Sequence, residues 1–173
     1  MDQVRAAWVR EAVVRWEAPL CRYAGRLARD PERGLDWVQE AFMRLCSQPD
    51  PAELDGRLGE WLFTVVRNLA VDAARKVKRM KPMGEIQTAA ADPAPGETAD
   101  GREQALRVRT ALGRLPAPQQ EAIRLKFQEG MSYRQIASIT GHSVSNVGFL
   151  IHVGLKALKG EMHERTYARR CSP

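Results

Sequence analysis

Residues 131–159 read MSYRQIASITGHSVSNVGFLIHVGLKALK. The stretch has the marks of two helices joined by a tight turn. Ser132 is an N-cap residue, and Gln135 three positions on completes a capping box. Ile136, Ala137 and Ile139 give a short first helix its apolar face. Gly141 sits where that helix should end, since glycine takes left-handed backbone angles without a side-chain clash. Ser143 can cap the second helix. Val144, Val147, Leu150, Ile151, Leu155 and Leu158 then recur at spacings of three and four, an apolar stripe. A short helix, a glycine turn and a longer helix with a polar first turn make a helix-turn-helix. The second helix of that motif enters the major groove and presents its first residues to base edges. The same pattern fits a helical hairpin buried in a bundle, so the rest of the chain has to decide.

The chain has 173 residues and a formal net charge of +6, which allows one domain or two small ones. Nucleic acid is a natural partner for such a charge. The charge is unevenly placed. Residues 1–66 carry 9 basic and 11 acidic side chains, and residues 67–81 carry 6 and 1. Residues 82–103 carry 1 and 5, and residues 104–173 carry 11 and 4. Two basic blocks therefore flank an acidic spacer. Cys21, Cys46 and Cys171 are odd in number and far apart, which argues against a disulfide framework or a zinc site and fits a reducing cytoplasm. We read them as two small buried side chains and one thiol in the tail. Asp2, Arg5, Arg10 and Glu11 leave no apolar core for a signal peptide. No apolar run approaches a membrane span, so no membrane insertion is expected.

In chain order, Val9, Val13, Trp16, Leu20, Tyr23 and Leu27 form a helical stripe. Pro19 interrupts it, which predicts a kink, or a break with Pro19 in the first turn of a second helix. Asp30-Pro31 then reads as an N-cap and first helical residue. The helix it opens turns Leu35, Val38, Phe42 and Leu45 inward and Asp36, Gln39, Glu40 and Arg44 outward. Residues 47–59 hold two prolines and two glycines and read as an ordered loop and the start of a helix. From Trp61 the pattern is helical, with Trp61, Leu62, Val65, Leu69 and Ala73 inward. It ends in Arg75, Lys76, Lys78 and Arg79. Part of that basic run can serve the helix dipole alone.

Residues 80–103 are rich in alanine, proline, glycine and acid, and they read as a flexible linker. A helix is expected over 106–115. A second is expected over 119–128, opened by Pro116 and Pro118, with Ile123, Leu125 and Phe127 apolar. Residues 163–173 form a basic tail, expected to fray. The fold class is therefore all-α. The domains are expected over 1–79 and 104–162, joined by the linker at 80–103.

No nucleophile–base pair, metal-ligand cluster or phosphate-cradling glycine loop is visible, so neither an enzyme nor a bound cofactor or metal is expected. His142, His152 and His163 lack cysteine or aspartate partners at ligand spacing. Asp36 and Glu40 lie on one helix face, where two carboxylates usually meet solvent or a partner.

Two blocks, in this order and at this spacing, resemble the bacterial sigma-70 family of the short extracytoplasmic-function (ECF) type. LDWVQEAFMRL (35–45) followed by EWLFTVVRNLAVDAARK (60–76) is similar to the family's region 2. LPAPQQEAIRLKFQEGMSYRQIASITGHSVSNV (115–147) is similar to region 4. The linker leaves no room for a third domain, as in the ECF type.

The resemblance implies a dissociable, cytoplasmic subunit that gives core RNA polymerase its promoter choice and so initiates transcription. Its partners would be core polymerase, through the β′ clamp helices and the β flap, and promoter DNA. It leaves room for an anti-sigma factor. By the same resemblance, Asp36, Gln39, Glu40 and Phe42 would bind the clamp helices. Trp61, Arg67, Asn68, Asp72, Arg75, Lys76, Lys78 and Arg79, with the loop before them, would engage and melt the −10 element. Arg134, Ser143, Val144, Ser145, Asn146, Phe149, His152 and Lys156 would serve the −35 element.

The physical chemistry of these residues is compatible. An acid-containing helix face suits a basic partner helix, and a basic helix end suits phosphate. Trp61 could stack on an unpaired base, although its place in the apolar stripe favours core packing. Asp72 could touch DNA or only orient Arg67 or Arg75. Asn146 can make a paired contact to adenine, and Phe149 can pack on a thymine methyl.

One departure stands out. Family members commonly follow the start of the recognition helix with several basic residues. Here residues 148–153 read GFLIHV. Lys156, Lys159, Arg124, Lys126 and Arg134 would then carry the electrostatic attraction. Gly148 also costs up to about 1 kcal/mol relative to alanine in a helix interior, and the sequence gives no reason for it. Two other function classes fit the composition: a helix-turn-helix regulator that acts without replacing a polymerase subunit, and a helical adaptor that binds protein through the apolar second helix.

Overall fold

The computed structural model describes residues 3–28, 30–49, 51–54, 56–80 and 99–170. The described residues are all-α, with no strand, and divide into two compact units. None of the described helices is long and apolar enough to cross a membrane. The linker expected over 80–103 falls mostly on residues 81–98, outside the described ones. At its edges it is corrected, because residue 80 still belongs to a helix and residues 99–103 already belong to the next.

The first unit is built from α1 (Gln3–Leu27), α2 (Pro31–Cys46) and α3 (Leu58–Met80), with a 3-10 turn at Pro51–Leu54. Each helix packs on the other two. Helix α1 runs through Pro19 without the break that the sequence allowed. The proline removes one backbone donor. Against that stands the burial of Leu20, Tyr23 and Ala24 immediately after it, which fixes the second half of the helix in the core. Helix α2 starts as expected. The Asp30 carboxylate accepts the Glu32 N–H at 3.0 Å, and Pro31 opens the first turn.

The inward faces of α2 and α3 differ from the sequence reading. On α2 the buried seam is Gly34, Val38, Ala41 and Leu45. Leu35 is 57% exposed. The seam centres on Gly34 because α1 and α2 approach closely there: a Cβ at Gly34 would lie 3.2 Å from the Gly25 nitrogen. That rotates Leu35 outward. On α3, which starts at Leu58 rather than Trp61, the buried residues are Leu62, Phe63, Val65, Val66 and Ala70. Trp61, Leu69 and Ala73 are half-buried. Phe63 takes the central position because two rings of α1 receive it. Trp16 meets it edge-on at 6.3 Å between centroids, and Tyr23 lies at 5.0 Å. Cys46, read as buried, is exposed at the end of α2.

The second unit is built from α4 (Ala99–Gly113), α5 (Ala117–Phe127), the first five residues of α6 (Tyr133–Thr140) and α7 (Val144–Arg170). Helices α4 and α5 both pack on α7. Ala111, Leu112, Ala122, Ile123, Leu125, Val147 and Ile151 are buried. The turn between α4 and α5 is tied by Gln120, a buried polar residue whose Nε2 donates to the carbonyls of Gly113 (3.2 Å) and Leu115 (2.7 Å). Where α7 crosses α5 it carries Gly154. A Cβ there would meet Ile123 Cδ1 at 2.6 Å. Phe127, one of the apolar residues of this helix, is 62% exposed, at the position where α5 ends. Val144 and Leu155 are also exposed, at the margins of the α7 seam. The tail expected to fray from residue 163 continues α7 to Arg170. Residues 171–173 lie outside the described ones.

Candidate nucleic-acid interface

Helix α6 is held by local hydrogen bonds at both ends. At its start Ser132 Oγ accepts the Gln135 N–H at 3.3 Å, and Gln135 Oε1 accepts the Ser132 N–H at 2.9 Å. At its end Gly141 takes φ 73°, and its N–H donates to the Ala137 carbonyl at 2.9 Å. This left-handed residue turns the chain within three positions into α7. Ser143 Oγ then accepts the Asn146 N–H at 3.1 Å. One lone pair of the Ser143 hydroxyl is thus engaged as a cap, which leaves its O–H and a second lone pair for a ligand.

The start of α7 divides cleanly. Val147 and Ile151 face the core, while Ser145, Phe149, His152 and Lys156 are exposed at spacings of four, three and four. These four therefore share one face. Ser143, Val144 and Arg134 are exposed beside them, and Asn146 is half-buried at the edge. Of the eight residues expected at this end of the chain, Arg134 lies on α6, Ser143 in the turn and the other six on α7, and all are exposed or half-buried.

One residue of this surface was missed by the sequence reading. Tyr133 is 39% exposed, with the Lys126 ammonium 5.4 Å from its ring centroid. Its ring edge stands over Gly148. A tyrosine at the first position of a short helix carries no periodicity signal, so nothing in the sequence marked it. The contact occupies Lys126, one of the cations expected to supply general attraction for DNA.

In the first unit the expected residues lie on two helices. On α2, Asp36 and Gln39 are exposed, and Glu40 and Phe42 half-buried. Glu40 Oε1 accepts from Arg44 Nε at 2.8 Å. Leu35 and Met43 (59% exposed) join this face, which makes it apolar as well as acidic. On α3, Asn68, Asp72, Arg75, Lys76 and Arg79 are exposed and Arg67 is half-buried. The Lys78 side chain lies outside the described ones. Asp72 Oδ1 is 3.6 Å from Arg75 Nη1, which favours the local ion pair among the roles open to Asp72. Trp61 is half-buried; the ring cluster of the core is Trp16, Phe63 and Tyr23 instead. The described residues hold no group of three potential metal ligands.

Comparison with known proteins gives this surface its context. Residues 12–80 match the family model described as Sigma-70 region 2, and residues 105–158 match Sigma-70, region 4. The ECF RNA polymerase sigma factor EcfG of Rhodopseudomonas palustris is 33% identical over 131 residues, covering 72% of this chain and 68% of that protein. This chain belongs to the ECF sigma factors. SigL of Mycobacterium tuberculosis, another ECF sigma factor, is 28% identical over 163 residues, covering 93% of this chain and 89% of its own. Among solved structures, the sigma factor RpoE of Bartonella quintana, in complex with the anti-sigma factor NepR, superposes with a TM-score of 0.70 at 25% identity. It covers 89% of this chain and 96% of that one. As an ECF sigma factor the chain is a transcription-initiation factor. The region 2 match spans α2, α3 and most of α1, and the region 4 match includes the helix-turn-helix.

Proposed function

We propose that the two units of this ECF sigma factor divide promoter recognition between them. The α2 face formed by Asp36, Gln39, Glu40 and Phe42, with Leu35 and Met43, docks on the clamp helices of the polymerase β′ subunit. Leucine and methionine supply the apolar contact, and the acids supply complementarity to a basic helix. Helix α3 and the loop before it engage the −10 element through Trp61, Arg67, Asn68, Asp72 and the basic end at Arg75, Lys76, Lys78 and Arg79. The helix-turn-helix reads the −35 element through Ser143, Val144, Ser145, Asn146, Phe149 and His152. Arg134 and Lys156 neutralise phosphate there, and the second unit also meets the β flap. The factor works in the cytoplasm with core polymerase. An anti-sigma factor, such as the one that accompanies the Bartonella relative, is a further partner.

The observation that carries this reading is the exposed face of α7, where Ser145, Phe149, His152 and Lys156 line up beyond a capped N-terminus. Such a helix end has the dimensions and polarity to enter a major groove. The test is in vitro transcription by core polymerase on a library of genomic fragments. Discrete transcripts that need both core and this protein are expected. Salt-dependent DNA binding without core, and no transcript with it, would instead mark a regulator that does not replace a polymerase subunit.

A further inference from the structure

The loop between α2 and α3, with the first turn of α3 that follows it, is fastened at both ends to the same helix. At its start, Arg5 Nη2 donates to the Cys46 carbonyl at 2.7 Å and also to the Gln48 carbonyl. At its end, the Trp16 indole lies on Gly59, where a Cβ would come within 2.6 Å of Cζ2 and 2.9 Å of Cζ3. Arg5 and Trp16 sit three turns apart on one face of α1, about 16 Å along its axis at the helical rise per residue. Between these anchors Leu54 is buried, Arg57 Nε donates to the Glu53 carbonyl at 3.0 Å, and Gly56 turns the chain at φ 72°.

We propose that α1 is a splint that sets the loop before DNA arrives, with Arg5 and Trp16 as positioning residues for promoter opening. This rests on the reading that the loop and α3 hold the opened strand. The last carbonyls of α2 have no partner within the helix. A guanidinium is a charge-assisted donor, and that of Arg5 holds one such carbonyl, Cys46, together with the loop carbonyl of Gln48. It thereby fixes the direction in which the chain leaves α2, the helix assigned to polymerase. At the far end the glycine lets the indole close over the first turn of α3. A loop held in this way has little ordering left to undergo when a base enters it, so more of the contact energy appears as strand capture.

The experiment uses the full chain with core polymerase and a promoter, reading permanganate reactivity of unpaired thymines in the −10 element. Arg5→Met keeps the apolar stem and removes the donors. It should lower the reactivity about tenfold, which corresponds to ~1.4 kcal/mol. Core affinity should stay within about twofold, because the α2 face is untouched. Arg5→Lys keeps a donor and should restore most of the signal. Gly59→Ala, which drives a methyl group into the indole, should mimic Arg5→Met. A normal bubble from Arg5→Met, or a parallel loss of core affinity and opening that Arg5→Lys does not rescue, would overturn the splint. A variant with residues 53–57 replaced by glycine and serine separates the two layers. If it abolishes the bubble while Arg5→Met does not, only the splint is wrong. If neither variant affects the bubble, the loop reading falls with it.

Discussion

Tyr133 and Gly148 meet face to edge: a Cβ placed at Gly148 would lie 3.6 Å from Cε2 of the tyrosine, an ordinary van der Waals distance. The glycine is therefore not required by space. Its backbone is helical, so it is not required by conformation either. Gly148→Ala should relieve the helix-propensity cost and add a contact to the ring. Stability of the chain is expected to rise by up to about 1 kcal/mol, measured by urea unfolding. A loss of stability would show that the ring cannot accept the methyl group.

Gly154 is the opposite case on the same helix. Its added Cβ would come within 2.6 Å of Ile123 Cδ1, and Gln119 Cβ and Leu115 Cδ1 lie at 3.4 Å. Ile123 is buried, so a side chain turned aside there displaces its neighbours in the core. Gly154→Ala should destabilise by about 1–3 kcal/mol, the usual cost of overpacking. The pair of variants, measured together, tests the packing of α7 against Tyr133 on one side and Ile123 on the other.

Asn146 lies at the edge of that face, with its backbone N–H held by Ser143. Asn146→Ala leaves the cap intact, because the cap uses only the backbone. It should cost about 1–3 kcal/mol at one or two base positions of the −35 element, read by binding to a panel of single-base promoter variants. An equal loss on every sequence would make it a backbone contact.

The polymerase face on α2 can be tested by charge reversal. Asp36→Lys with Glu40→Lys should abolish stoichiometric binding to core polymerase. The unfolding midpoint should hardly move, since Asp36 is exposed and the Glu40–Arg44 pair is nearly half-exposed at each end. Unfolding of the double variant would make this face structural.

What the sequence made legible was local. The Asp30-Pro31 start of α2, the Ser132–Gln135 box, the Gly141 turn and the Ser143 cap each depend on residues within four positions of one another. What it hid was set by neighbours far along the chain. Leu35 faces solvent because Gly34 lets α2 approach Gly25 of α1. Phe63 is central because Trp16 and Tyr23 surround it. Apolar spacing gives a stripe wide enough to admit either rotation, and only the partner helix chooses. At Pro19 the sequence left a kink or a break open, and the continuous α1 excludes the break. The expected site residues fell on exposed or half-exposed positions wherever their side chains are described, but Tyr133, Leu35 and Met43 entered those surfaces without a sequence signal.

The division of labour is tested most directly at the end of α3. Arg75, Lys76 and Arg79 are exposed there with Asp72 beside Arg75, on a different helix from the residues assigned to polymerase, which lie on α2. Opening a duplex costs a few kcal/mol per unstacked step, and strand capture by the first unit must offset it. Replacement of Arg75, Lys76, Lys78 and Arg79 by alanine should leave core binding and −35 recognition intact. Permanganate footprinting of that variant on a promoter with core polymerase should show no reactive thymines where the unaltered protein shows a bubble. A bubble of normal extent and intensity would contradict strand capture by this helix end.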